Sequence, residues 1–340
     1  MSISEAATSE AAETTLVTLS DIEAAAERIS DLVLRTPIIQ LPHPQRPDEV
    51  LHCKAESLQP TSAFKLRGAY NTVAQVLDQA REHGIVAQSS GNHARAVAWL
   101  AHRLNLRAVI VMPDAAPLPK IEAVRALGAE VEIVPSALRD VRAHELVAQY
   151  GYVHVPPYDD PRIIAGQGTV GLEIMQQLPN VDTVLVPISG GGLISGIATA
   201  VKAINPGTRV IGVEPELAAD AAQSFREGRR ITWEQELTYR TVADGLRTPA
   251  LGVHPWEHVK RYVDDVITVT EEQILAAMRH LTLAGRLVVE PSGAVATAAW
   301  MHDLVPPSGN AQNDGGTTAA VVSGGSVDPA LLAKVLQQAG

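Results

Sequence analysis

Short apolar runs alternate along most of the chain with longer stretches of helical period. Runs at 38–41, 50–55, 84–88, 108–112, 129–134, 181–188, 210–213 and 319–322 are mostly apolar and end at Gly, Pro or polar residues, which predicts strands. Residues 68–77, 94–104, 120–127 and 197–204 read instead as helices. Ser20 and Glu23 have capping-box spacing, so a helix is expected from there to about residue 34, closed by Arg35-Thr36-Pro37. Gly128 marks the end of the 120–127 helix, and a last helix is expected from about Pro329. Strand and helix in alternation mean an α/β fold, with parallel sheets joined by crossover helices. Residues 305–317 read as a surface loop and 1–16 as a disordered tail.

At 340 residues, 46% of them hydrophobic, the chain has room for two domains and a large core. The net charge of −11 argues against a nucleic-acid partner, which would want a basic face. A single cysteine, Cys53, rules out an intramolecular disulfide and fits a reducing compartment. The first residues lack the basic start and apolar core of a secretory leader, and no apolar run is long enough to span a bilayer. A cytoplasmic protein acting on a small molecule, with no membrane partner, is expected.

Three stretches carry candidate chemistry. In Pro60-Thr61-Ser62-Ala63-Phe64-Lys65, a lysine stands beside an aromatic residue just after a turn. A lysine partly out of water has a lowered pKa, which an amine needs to form a Schiff base. Ser189-Gly190-Gly191-Gly192-Leu193 lies between a strand and a helix start, where backbone N–H groups and the helix dipole converge on a phosphate. Ser89-Ser90-Gly91-Asn92-His93, also between strand and helix, gathers hydroxyls, N–H groups and an amide suited to a carboxylate or a phenolate oxygen. A rival reading takes Gly190, Gly192 and Gly196 as a dinucleotide loop with Glu214 on the ribose, making a nicotinamide oxidoreductase. Its last glycine comes one residue late, and it leaves Lys65 and the 89–93 loop without a role.

Together these residues resemble the serine/threonine dehydratase and serine racemase family, fold-type II enzymes that use pyridoxal 5′-phosphate (PLP). The likeness runs from Arg35-Thr36-Pro37 to Ser323-Gly324-Gly325. It also takes in Ile164-Ala165-Gly166-Gln167-Gly168-Thr169, Val242-Ala243-Asp244-Gly245 and Glu290-Pro291-Ser292-Gly293-Ala294. It implies a two-domain fold like the tryptophan synthase β subunit, with helices on both faces of parallel sheets. Residues 17–78 and 162–340 would form the large PLP-binding domain, and 79–161 the small one. By the same resemblance Lys65 would hold the cofactor, Phe64 pack on its ring, and Asn92 bond its phenolic oxygen. Ser189, Gly190, Gly191, Gly192 and Leu193 would hold the phosphate, and Ser323 would face the pyridine nitrogen. Ser89, Ser90, Asn92 and His93 would take the substrate carboxylate, with Arg139 nearby. Glu214, the Ala218 carbonyl and Asp220 would form a Mg²⁺ or Ca²⁺ site of hard oxygen ligands.

The reaction so implied is dehydration of L-threonine or L-serine to a 2-oxo acid and ammonia. Ser90, where threonine deaminases usually have Ala and serine racemases Ser, would add slow racemisation from the face opposite Lys65. Arg139 or Arg95 could take a second carboxylate, which keeps 3-hydroxyaspartate and bulkier 3-hydroxy amino acids open. Three positions depart from the family pattern: Thr61-Ser62-Ala63 replaces Thr-Gly-Ser, Ser189 replaces a glycine, and Arg95 replaces a Gln or small residue. The resemblance also implies a homodimer, and no isoleucine feedback through a further regulatory domain.

Overall fold

A computed structural model describes residues 16–307 and 316–337. The expected tail, but for Leu16, and most of the expected 305–317 loop lie outside the described residues.

Among the described residues, ten strands form two sheets. The larger contains β1 (Ile38–Pro42), β2 (Val50–Ala55), β7 (Thr183–Pro187), β8 (Arg209–Pro215), β9 (Asp265–Val269) and β10 (Thr318–Val322), in the order β1-β2-β10-β7-β8-β9. The smaller contains β3 (Ile85–Gln88), β4 (Ala108–Pro113), β5 (Glu130–Val134) and β6 (Val153–His154), in the order β5-β4-β3-β6. Every pairing is parallel except β1 with β2, which a short Pro-containing connection folds back as an antiparallel edge. The periodicity reading anticipated eight of these strands. It gave no reading for two-residue β6 or for β9, whose apolar residues Val266 and Ile267 are flanked by Asp265 and Thr268.

Helices cover both faces of the large sheet, because successive side chains of a strand point to opposite sides. On one face Leu185, Ile211 and Val213 pack with Met278, Ala294 and Ala298. On the other, Val184, Val186 and Val210 pack with Ile194, Ile197 and Val259. The small sheet has its own core, which includes Ile85, Ala87, Ile110 and Val97.

The first helix differs from expectation. It spans Leu19–Arg28 and its capping box is Thr18 with Asp21, one pair upstream of Ser20 and Glu23. The Thr18 hydroxyl accepts from Asp21 N at 3.2 Å, and the Asp21 carboxylate accepts from Thr18 N at 2.8 Å. The helix also stops before the expected residue 34. The Ser30 hydroxyl donates to the Glu27 carbonyl, and Asp31 turns to accept from the Tyr70 hydroxyl at 2.9 Å. Gly128 takes the expected left-handed conformation, φ +84°, after the helix Leu118–Ala126.

Candidate active site

Parallel sheets present their loops at the carboxyl ends of the strands, and ligands gather there. The turn carrying Lys65 follows β2, the 89–93 loop follows β3, the glycine loop follows β7, and Ser323 follows β10. All four meet at one cavity of about 920 Å³ between the two sheets. Phe64, Lys65, Ser89, Ser90, Asn92, His93, Arg139, Ser189, Gly190, Gly191, Gly192, Leu193 and Ser323 all line it.

Lys65 begins the helix Lys65–Ala74. The turn before it is stitched to the end of β10. Phe64 N donates to the Ser323 carbonyl at 3.1 Å, Gly325 N donates to the Ser62 carbonyl at 2.8 Å, and Ala63 bridges Gly324. Lys65 and Ser323, far apart in sequence, are thereby fixed as neighbours. Ser62 adopts φ +60°, the left-handed region where glycine is at ease, and it stands where the family pattern has Gly. Lys65 Nζ donates to the Pro157 carbonyl at 2.6 Å and lies 5.2 Å from the Phe64 ring centre. Burial lowers the amine to about 8 from its ordinary 10.5.

A buried ionic cluster anchors the same helix. Arg67 donates to Glu56 at 2.8 Å and to Glu173 at 2.7 Å, and Lys54 donates to Glu173 at 2.5 Å. The charges are paired and hydrogen-bonded, as buried charges must be.

The glycine loop leads into the helix Gly192–Ile204, whose first N–H groups have no intrahelical partner. Gly191 is left-handed, φ +89°. Added Cβ atoms at Gly190 and Gly192 would lie 2.5 Å from the Tyr158 ring and 2.9 Å from the Tyr158 carbonyl, so only glycine fits under that residue. Ser189, a departure from the family pattern, braces the loop locally, since its hydroxyl accepts from Thr248 N at 3.1 Å.

The helix Asn92–Leu104 opens directly from the 89–93 loop, with the Ser89 hydroxyl accepting from Gly91 N at 3.2 Å. His93 Nε2 donates to the Val155 carbonyl at 2.7 Å, which leaves the buried Nδ1 without a partner among the described residues. Burial, then the Lys65 charge, pushes this imidazole down to about 3, so it stays neutral. Arg139 starts the helix Arg139–Tyr150 and spends its Nε on the Ser136 carbonyl at 3.0 Å.

Glu214, Ala218 and Asp220 do not line the cavity. They are wholly buried at the end of β8 and the turn beyond it. Glu214 accepts from Ala221 N and Ala222 N, and both Asp220 carboxylate oxygens lack a partner among the described residues. Burial pushes Asp220 up to about 8. It also raises Glu214 well above the ordinary carboxylate range, with Asp220 adding to that rise.

The dinucleotide reading fails on this geometry. Gly196 is a packing glycine, since a Cβ there would lie 2.3 Å from the Ile164 carbonyl. Glu214 is sealed from the cavity where a ribose would have to lie.

Several cavity residues had no role assigned from the sequence. Lys120 and Asp244 form an ion pair joining the small-sheet side to the large. Gly245 N donates to the Ser292 hydroxyl at 2.8 Å, which joins two stretches that carried the resemblance. Glu290 accepts from Asn92 Nδ2 at 2.5 Å. Those stretches were visible in the sequence, but what each polar side chain does was not.

Comparison with known proteins agrees with this architecture. Residues 29–324 match the model of the "Pyridoxal-phosphate dependent enzyme" family. The chain is 39% identical over 329 residues to an L-threonine ammonia-lyase of Thermotoga maritima, covering 95% of this chain and 79% of that one. It is 38% identical to the catabolic L-threonine dehydratase of Staphylococcus aureus, covering 95% and 92%. The structure of maize serine racemase superposes with a TM-score of 0.86 at 37% identity, covering 94% of this chain and 97% of that one. The match spans the lysine turn, both loops and Ser323, and so the chain belongs to the pyridoxal-phosphate-dependent enzyme family.

Proposed function

We propose that this enzyme is a PLP-dependent ammonia-lyase that dehydrates L-threonine and L-serine to a 2-oxo acid and ammonia, with slower racemisation of serine. One observation carries the reading: a single desolvated amine, Lys65 Nζ, shares a cavity with a glycine loop at a helix N-terminus and with the polar 89–93 loop.

The residues present fit the cofactor. The N–H groups of Gly190, Gly191, Gly192 and Leu193 suit a phosphate dianion. Phe64 lies against Lys65, where a ring would stack, and Asn92 offers an amide to the phenolic oxygen. Ser323, a buried hydroxyl, is a neutral partner for the pyridine nitrogen. When bound, PLP supplies an electron sink for the pair left at Cα once its proton is removed. Lys65, near 8, is basic enough to take that proton and is largely neutral in mildly alkaline solution. Ser89, Ser90, Asn92 and His93 would bind the α-carboxylate through the serine hydroxyls and the free backbone N–H groups at the start of the helix Asn92–Leu104, since the one ring N–H of neutral His93 is spent on Val155. Ser90 Oγ would return a proton to Cα from the side away from Lys65, which inversion requires and elimination does not.

The test is release of 2-oxo acid and ammonia from a panel of 3-hydroxy amino acids. Threonine and serine are expected to lead. A silent panel would sink the reading. Arg95 and Arg139 in the cavity wall favour one second reading, a 3-hydroxyaspartate lyase, and preference for that substrate would select it.

Glu214, the Ala218 carbonyl and Asp220 are proposed as a Mg²⁺ or Ca²⁺ site. The two unpaired oxygens of Asp220 beside a second buried carboxylate support it, since unpartnered buried charge is costly. A homodimer in the cytoplasm accompanies this reading. It rests on the family likeness, and light scattering of the holoenzyme checks the dimer.

A further inference from the structure

We infer that Glu290 is a positioning residue whose carboxylate fixes the Asn92 side-chain amide, turning one Nδ2–H toward the phenolic oxygen of the bound cofactor. This rests on the assignment of Asn92 given above.

The two residues are 198 apart in sequence and come from opposite sides of the cavity. Asn92 begins the helix after β3. Glu290 is the cap residue of the helix Pro291–Met301, which packs on the large sheet. Asn92 Nδ2 donates to Glu290 Oε1 at 2.5 Å, and Glu290 is only 4% exposed. The two ends of an amide have nearly the same shape, so packing alone does not decide which end faces the cofactor. An ionised carboxylate accepts and cannot donate, so it selects the NH₂ end. One N–H is then spent on Glu290, and the second is left to turn into the cavity.

The backbone is shaped around this pair. A Cβ on Gly324 would lie 2.1 Å from Glu290 Oε1 and 3.1 Å from Asn92 Nδ2. The glycine next to Ser323 therefore makes the gap in which carboxylate and amide meet. Asp244, Lys120 and Arg95 are the charged groups around the carboxylate. Burial, then Asp244, raise it, the Asn92 hydrogen bond, Lys120 and Arg95 lower it, and the balance stands at about 7, so the carboxylate is ionised above that pH.

The experiment is a double-mutant cycle on full-length protein stripped of cofactor. The dissociation constant for PLP and the visible absorption maximum of the reloaded protein are read for wild type, Asn92→Ala, Glu290→Ala and the double variant. Each single substitution is expected to weaken PLP by about tenfold, the scale of one buried hydrogen bond to a charged partner. The double variant should be no weaker than the weaker single, because both remove one interaction. Glu290→Gln keeps an acceptor oxygen and should return affinity and absorption to within about threefold and a few nanometres of wild type. Glu290→Met, which fills the space with no strong acceptor, goes through the same cycle, so the result does not hang on the folding of one variant. Losses that multiply in the double variant, or a Gln variant as weak as Ala, would overturn the role of Glu290 alone. An Asn92→Ala protein that binds PLP like wild type would overturn the assignment of Asn92 and this inference with it.

Discussion

At the scale of single residues, environment does more than identity. Lysine is ordinarily charged to pH 10.5, and desolvation on burial beside Phe64 brings Lys65 to about 8. His93 is held neutral by the same dry surroundings. In the proposed mechanism Ser90 is the residue on which the balance of two reactions turns. Ser90→Ala is expected to lower D-serine formation by about a hundredfold, the scale of a positioned general acid, and to leave pyruvate release within about twofold. Chiral chromatography of serine beside a pyruvate assay reads both. Equal D-serine from mutant and wild type would remove Ser90 from the mechanism.

At the scale of elements, three close helix contacts set the distance from amine to glycine loop. The helix Pro161–Gln177 lies between the Lys65 helix and the helix Gly192–Ile204. A Cβ on Gly166 would lie 2.6 Å from Gly68 Cα, and a Cβ on Gly196 2.4 Å from Gly168 N. Gly68 N donates to the Gln167 side chain at 3.2 Å across the first crossing. Gly196→Ala should therefore cost about 2 kcal/mol or more and, on the proposed cofactor site, loosen PLP, since the helices cannot part without moving the glycine loop. Ser62 is the opposite case. A non-glycine residue at φ +60° is strained, so Ser62→Gly should stabilise the protein by about 0.5–1 kcal/mol, less the entropy that glycine adds to the unfolded chain. Urea midpoints of the cofactor-free protein check both substitutions. An unchanged or lowered midpoint for Ser62→Gly would mean that the turn tolerates serine at no cost.

For the whole molecule, the buried acids make stability depend on pH. Asp220 rises from 3.8 to about 8 and Glu290 from 4.5 to about 7 on folding, and Glu214 rises as well. The folded state then binds more protons than the unfolded chain across that window, so stability falls as pH rises through it. His93 works the other way, but only below about pH 6.5, where its unfolded imidazole takes a proton. Between pH 6.5 and 8 the cofactor-free protein in chelator should therefore lose Tm. Mg²⁺ or Ca²⁺ should restore it by pairing with the ionised carboxylates. Asp220→Asn should flatten most of the slope and abolish the cation response. A Tm indifferent to chelator, cation and pH would rule out the proposed metal site.

The sequence by itself determined the alternation of strand and helix, and hence a parallel α/β fold. It also marked the lysine turn, the 89–93 loop, the glycine loop and Ser323, which meet in the cavity, but not the stretch from Pro156 to Asp160 that lines it beside them. Those features are written locally, in period, in glycine runs and in the residues that bracket a strand end. Local signals misplaced the first capping box because two overlapping Ser/Thr-to-acid pairs both satisfied the spacing. They passed over β6 because two residues have no period. The antiparallel turn of β1 and the seating of Glu214 away from the cavity depended on packing against distant segments. So did the pairing of Asn92 with Glu290 across 198 residues. Spacing along the chain says which side chains are present at a strand end. Only the closing of two sheets on one cavity decides which of them are dry, which are paired and which face the ligand.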